Sequence, residues 1–324
     1  QRQMCIRDSY NIIDSLFVGR YSDSGLTALS IIYPLQLLMI ALAVGTGVGI
    51  NTVMAAKLGV GNEKEADEYA GVGTPLAGFM WLLFAVICWF AMPFYAKMST
   101  NSEVIIHDVI VYGRIVCVFS FGLFLESIWT KVLQSCGDMK TPMTAQIIGA
   151  ITNIVLDPLL IFGIGFLPRL GIAGAALATG IGQIVTLSIY LVVYFSRPLP
   201  VHIRRCYLKP HGATDKKLYA IGVPAILNLA LPSLLVSFLN ALLAGFSQSY
   251  VVVLGIYYKL QTFLYLPANG IIQGMRPIIG YNYGARQPKR ITQTIKLAVC
   301  FAECIMLCGL ILAEVFPPVS YTHL

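Results

Sequence analysis

Residues 153–163 read NIVLDPLLIFG, an amide, a carboxylate and a proline inside an apolar run. An acid at the centre of a membrane helix costs about 2.5–3.5 kcal/mol on insertion scales. Such residues face a bundle interior or a water-filled cavity far more often than lipid. Asn153 lies four residues before Asp157, and Gln146 eleven before it. That spacing places all three on one helical stripe. Pro158 has no backbone N–H, so the carbonyl of Ile154 is left without its helical donor. A carboxylate, an amide and a free carbonyl gathered together can hold a proton or a small cation. The plain alternative is a buried Asp satisfied by neighbouring helices, and the cost of the acid favours the functional reading. Asp14, in NIIDSLFVGR, is a second acid, near the end of an apolar stretch where a solvated edge residue is equally consistent. Glu126, Glu303 and Glu314 also interrupt apolar runs but rank below Asp157. Glu126 and Glu314 lie toward segment ends, and Glu303 has no polar stripe around it.

A second stripe runs through Tyr258, Gln261, Tyr265, Asn269, Gln273 and Arg276 at spacings of three or four. Aromatic rings mixed with amides suit a cleft that binds flat organic cations, or else a polar contact between helices. Other chemistry is missing. The chain has no GxxxxGK[ST] phosphate loop, no HExxH and no serine-hydrolase elbow, which argues against ATP hydrolysis and against an enzyme. Cys300, Cys304 and Cys308 share a helix face, but no His or carboxylate completes a tetrahedral metal set. GTGVG at 45–49 follows a membrane segment rather than a strand, so its glycines are read as points of close helix contact.

The elements that must carry these residues follow from composition. Of 324 residues 57% are hydrophobic and only 11% charged, with mean hydropathy +0.76. Soluble domains carry about 25% charged residues. The fold class is therefore an all-α polytopic membrane protein whose first partner is the lipid bilayer. Apolar segments long enough to span appear near 26–51, 70–95, 105–135, 141–163, 170–196, 218–245, 249–280 and 291–316, after the tail of an earlier span at 10–20. The net charge of +7 is not a nucleic-acid signal, because the basic residues collect in alternate short loops. Lys57 and Lys64, Lys131 and Lys140, the 197–217 connection, and Arg286 to Arg290 mark one side; only Arg20, Lys97 and Arg169 mark the other. The positive-inside rule makes the basic side cytoplasmic. Residues 1–9 and 318–324 do not continue the helical patterns and are set aside as non-native ends.

The sequence also repeats. Sliding it by 225 residues lays 29–64 on 254–289 with 10 of 36 positions identical, including Tyr33/Tyr258, Gln36/Gln261, Gly45/Gly270, Gly49/Gly274 and Gly59/Gly284. The matched spans are the second and the eighth, six apart, so they run the same way. The repeat is parallel, about an axis along the membrane normal, which is a secondary-transporter architecture. The expected organisation is a first lobe at 10–197, a cytoplasmic connection at 198–217 and a partial second lobe at 218–317. Tyr33 and Gln36 join Tyr258, Gln261, Tyr265, Asn269, Gln273 and Gln146 as candidate substrate-cleft residues.

YNIIDSLFVGR, GTGVGINTVMAAKLGVGNEKEA, VLQSCGDMKTPM, NIVLDPLLIFG and GIAGAALAT, in that order, resemble the multidrug and toxic compound extrusion (MATE) family, and the likeness runs from about 10 to 317. The resemblance implies twelve helices in two lobes, of which eight or nine are present here as a truncated fragment. It implies a monomeric antiporter of the bacterial cytoplasmic membrane that exports small organic cations against inward H+ or Na+, with no other cofactor. In the DinF-like branch, the coupling positions correspond to Asp14, Asn153, Asp157, Ala175 and Thr179 here, with Na+ at Asp14, Asn153 and Asp157 as the one metal to consider. The NorM-like branch uses an acid in the seventh helix, and 218–245 contains none. A flippase for lipid-linked oligosaccharide precursors is the alternative within the same architecture.

Overall fold

In the computed structural model, residues 13–163, 168–197, 199–202, 207, 212–244 and 248–315 are described. Among them no strand occurs. Helix α1 covers 13–21. It is followed by α2 (Asp23–Val60), α3 (Glu63–Ser99), α4 (Glu103–Phe119), α5 (Phe121–Ser135), α6 (Lys140–Phe162), α7 (Ile172–Ser196), α8 (Gly212–Ala244), α9 (Gln248–Gly284) and α10 (Pro288–Val315). Six stretches among these residues are long and apolar enough to cross a membrane, with α4 and α5 counting as one. The chain is a multi-pass membrane protein.

Local chemistry sets the helix ends. Ser22 caps α2 by accepting from the N–H of Gly25, with Asp23 in the first turn. Gly61, at φ 80°, closes its other end. Asn62 accepts from the N–H of Glu65 and donates back to its carboxylate at 2.8 Å, and Glu65 pairs with Lys57 across the turn. Asp138 starts α6 by accepting from the N–H groups of Lys140 and Thr141. Helix α8 begins at Gly212, inside the connection expected to run to 217. Thr214 donates to Glu68 at 2.6 Å and ties this extra turn to α3.

The repeat is visible as geometry. Gly59 packs on the backbone carbonyl of Tyr281, and Gly284 packs on that of Ala56. Gly59 and Gly284 are repeat mates, and so are Ala56 and Tyr281. The α2–α9 crossing is therefore symmetric in sequence as well as in space, as the parallel pseudo-two-fold requires. Only glycine allows backbones this close. Gly45 and Gly49 meet α8 at Ile226 and Leu218, confirming them as points of close contact. The seam between the two lobes thus occupies the half of α2 that runs to Val60, with Lys57 in its last turn, which we call the basic end.

Candidate cation site

Three elements are held in register at the end opposite the basic one. The rings of Tyr21 (the last residue of α1) and Phe162 (the last of α6) meet edge to face at 6.2 Å. The Arg169 guanidinium lies 5.0 Å above the Tyr21 ring. Gly171, at φ 57°, leads into α7, and a Cβ there would strike the Tyr21 phenol. At 1.5 Å per helical residue, Asp14, Asp157 and Thr179 then lie about 8–12 Å below this cluster. Three helices that share no sequence signal thereby deliver their polar groups at one depth.

Helices α6 and α7 touch through backbone. A Cβ on Gly182 would lie 2.8 Å from the carbonyl oxygen of Gly149, and one on Gly174 would lie 2.6 Å from that of Leu160. This closeness brings Asn153 to Thr179. Asn153 Nδ2 donates to Asp157 Oδ1 at 3.3 Å and to Thr179 Oγ1 at 3.4 Å. Thr179 Oγ1 donates in turn to the carbonyl of Ala175 at 3.1 Å. Asp14, Asn153 and Asp157 are 4%, 2% and 0% exposed. Asp14 is near enough to Asp157 for the two carboxyls to repel when both are ionised.

One oxygen on each of Asp14, Asn153 and Asp157 is buried with no hydrogen-bond partner. A buried acceptor left unsatisfied costs about 1–3 kcal/mol. Three such acceptors close together define a place for a proton or a small hard cation. No cluster of three or more His, Cys, Asp or Glu suited to a transition metal occurs among the described residues. The five coupling positions expected from sequence are thus brought together, Ala175 contributing its carbonyl.

The expected cleft residues are not gathered in the same way. Gln146, expected at the substrate cleft, lines a small cavity inside the first lobe with Glu126, Asn153 and Thr179. Its place on the Asn153–Asp157 stripe turns it toward α5 and α7. Gln36 donates to the Tyr112 hydroxyl at 3.2 Å within the first lobe. Tyr33 and Tyr265 are half exposed, and Asn269 is partly buried. The side chains of Tyr258 and Gln261 lie outside the described residues. Gln273 Oε1 accepts from Lys131 Nζ at 3.1 Å and from Arg276 Nη1 at 3.3 Å, so it bridges the lobes.

Lys131 is a correction. Read as a loop cation, it is 7% exposed and sits one turn inside the end of α5. Its Nζ also donates to Gln134, and its carbonyl accepts from Asn51 at 3.0 Å. The signal was its position: VLQS, four residues of unbroken helix, follows it. Cys300, Cys304 and Cys308 are exposed.

A parallel two-lobe helical bundle with an acid pair buried in one lobe defines a class, the two-lobe membrane transporters. Within that class, the MatE family model matches residues 3–159 and 224–321, and the chain belongs to that family. A model of the lipid II flippase MurJ matches residues 98–253. An FAD transporter of Shewanella oneidensis is 30% identical over 298 residues, covering 90% of this chain and 65% of that protein. The multidrug export protein MepA of Staphylococcus haemolyticus is 26% identical, covering 91% and 66%. The chain spans about two thirds of the length of these curated relatives. Among solved structures, a MATE transporter in the straight conformation superposes with TM-score 0.91 at 25% identity, covering 99% of this chain and 72% of that one. A MOP superfamily transporter from Pyrococcus furiosus gives 0.90 at 24% identity, covering 98% and 70%.

Proposed function

We propose that the chain forms the coupling lobe and part of the second lobe of an antiporter that exports organic compounds, small organic cations among them, in exchange for inward H+ or Na+. The observation that carries this reading is the set of three unpartnered oxygens on Asp14, Asn153 and Asp157. Binding of a proton or Na+ there removes the repulsion between the two carboxyls and lets α1, α6 and α7 pack more tightly. That repacking is transmitted to the lobe seam and releases substrate on the far side. A membrane potential of 100 mV contributes about 2.3 kcal/mol for each charge carried inward. The basic end faces the cytoplasm of a bacterial inner membrane, and the lobes divide at the 198–217 connection. The names of the relatives, a multidrug exporter and an FAD transporter, support a substrate that is a sizeable organic molecule.

The test is efflux from proteoliposomes that contain the full chain, under imposed pH or Na+ gradients. Asp157→Asn abolishes gradient-driven efflux while downhill exchange persists. Unchanged efflux with unchanged cation dependence in that variant would overturn the coupling assignment.

A second reading is flippase activity on lipid-linked oligosaccharide precursors. It is favoured by Lys131 and Arg276 converging on Gln273, since paired cations suit a pyrophosphate, and by the MurJ match. Binding of a polyprenyl pyrophosphate that is lost in Lys131→Gln would support it over drug export.

A further inference from the structure

Between α5, α6 and α7 lies a cavity of about 30 Å³, lined by Glu126, Gln146, Asn153, Thr179, Gln183 and Thr186. One water needs about 10–15 Å³ of such space, so one or two waters or a single small ion fit. Nearly every lining group offers oxygen. Glu126 is 5% exposed, a carboxyl group held inside the lobe. Thr186 spends its proton on the carbonyl of Gly182 at 3.0 Å, which leaves its oxygen as an acceptor. Asn153 connects this cavity to the acid pair. Its Nδ2 is committed to Asp157 and Thr179, and its Oδ1 is buried without a partner.

The position along the membrane is as informative as the chemistry. Gln146 lies eleven residues before Asp157 on α6, about 16 Å nearer the basic end. Glu126 lies nine residues before Ser135, the basic end of α5. The cavity therefore sits between the acid pair and the basic end, where a cation leaving Asp157 toward that side would pass. A single carboxylate among neutral amide and hydroxyl oxygens suits a monovalent cation. It offers neither the carboxylate count of a calcium site nor the nitrogen and sulfur ligands of a transition metal.

We infer that the first lobe holds a second cation site, centred on Glu126 and Asn153, which takes a water-borne proton or Na+ and passes it between the Asp14–Asp157 pair and the basic end. The inference rests on the antiport reading. Glu126 balances the ion's charge in the apolar middle of the lobe, and Asn153 belongs to both sites, its Nδ2 holding Asp157 and its unpartnered Oδ1 accepting the cation.

The experiment uses the full chain in proteoliposomes with two arms, a Na+ gradient at constant pH and a pH gradient without Na+. Glu126→Gln is expected to slow gradient-driven efflux about 10²-fold, the low end of what one positioned acid–base group contributes, while substrate affinity stays unchanged. Loss in the pH arm alone supports a proton as the ion; loss in the Na+ arm alone supports Na+; loss in both supports a shared path. Asp157→Asn is run beside it. If Asp157→Asn abolishes coupling while Glu126→Gln matches the parent in both arms, the second site is overturned and antiport stands. If Asp157→Asn also matches the parent, antiport fails and this site with it. Should Glu126→Gln not fold, Gln146→Leu takes one oxygen from the cavity without touching either acid. It slows the same arm if the inference holds, and parental rates in that variant overturn it.

Discussion

Gly182→Ala tests whether backbone contact between α6 and α7 sets the cation site. The added Cβ would lie 2.8 Å from the carbonyl oxygen of Gly149 and 3.2 Å from Asn153 Cβ. Ordinary contact begins at 3.4 Å, so the helices must part by about 0.6 Å, a shift that tightly packed interiors resist. The Asn153–Thr179 hydrogen bond is already long at 3.4 Å. The same displacement takes it to about 4 Å, where it no longer counts as a bond. Overpacking costs about 1–3 kcal/mol, and the lost bond adds about 0.5–1.5 kcal/mol. Replacing glycine in a helix returns about 0.5–1 kcal/mol. The net is a loss of about 0.5–4 kcal/mol, with roughly 1 kcal/mol coming from the lost bond at the site itself. That share weakens apparent cation affinity about fivefold. Two assays read it, thermal unfolding in detergent and the cation concentration that gives half-maximal efflux. Gly78→Ala is the control, because nothing lies within 4 Å of its added Cβ. The reasoning is refuted if Gly182→Ala melts with Gly78→Ala and keeps the parental cation dependence.

Two further outcomes are expected. Lys131→Ala removes the Nζ bonds to Gln134 and Gln273, worth about 1 kcal/mol each, and loosens the seam; maleimide then labels Cys136, five residues further on, faster than in the parent. Asp138 is partly buried, which works against its charge, but donors from Thr141 and Lys140 hold its carboxyl below the ordinary 3.8. A carboxyl depressed by folding stabilises the folded state fully above its unfolded pKa and loses that contribution as pH falls through the lower folded value. Asp138→Ala therefore costs about 1 kcal/mol at neutral pH, and the gap to the parent in thermal unfolding closes as the pH drops below about 4. A gap that is constant down to acid pH would show that the cap acts without its charge.

The spans and their pairing were legible because each rests on a signal that survives burial. Length and apolarity give the helices, and the shared glycines at an offset of 225 give α2 and α9 as parallel repeat mates; that the two cross at Gly59 and Gly284 is legible only in the structure. Asp157 and Asn153 were legible because an acid in hydrocarbon is costly wherever it occurs. Asp14 stood out only through the family resemblance, since one carboxylate near a helix end looks the same solvated or buried. Spacing places a residue on a face without saying which neighbour that face meets, and only the structure shows Gln146, on the Asp157 stripe, lining the cavity inside the first lobe. Lys131 was misplaced for a related reason. Charge counting treats a lysine one turn inside a helix like one in the following loop; the helical VLQS after it was the local signal, and contact with Asn51 and Gln273 is what buries it.

The repeat is faithful in backbone and unfaithful in charge, and that difference bears on which lobe binds the cation. Arg276 stands where the first repeat has Asn51. Asn51 holds the Lys131 carbonyl directly, and Arg276 shares the Gln273 oxygen with Lys131 Nζ. Helix α9 contains no acid, and α8 has only Asp215, in its first turn. The buried Asp14, Asp157 and Glu126 all lie in the first lobe, whereas Glu303 of α10 is exposed. On the antiport reading, a monovalent cation is drawn to the first lobe and away from the seam that holds Lys131 and Arg276. Symmetric glycines let the lobes meet as equals, and on the proposed reading the unequal charges keep the coupling ion away from the surface on which they meet.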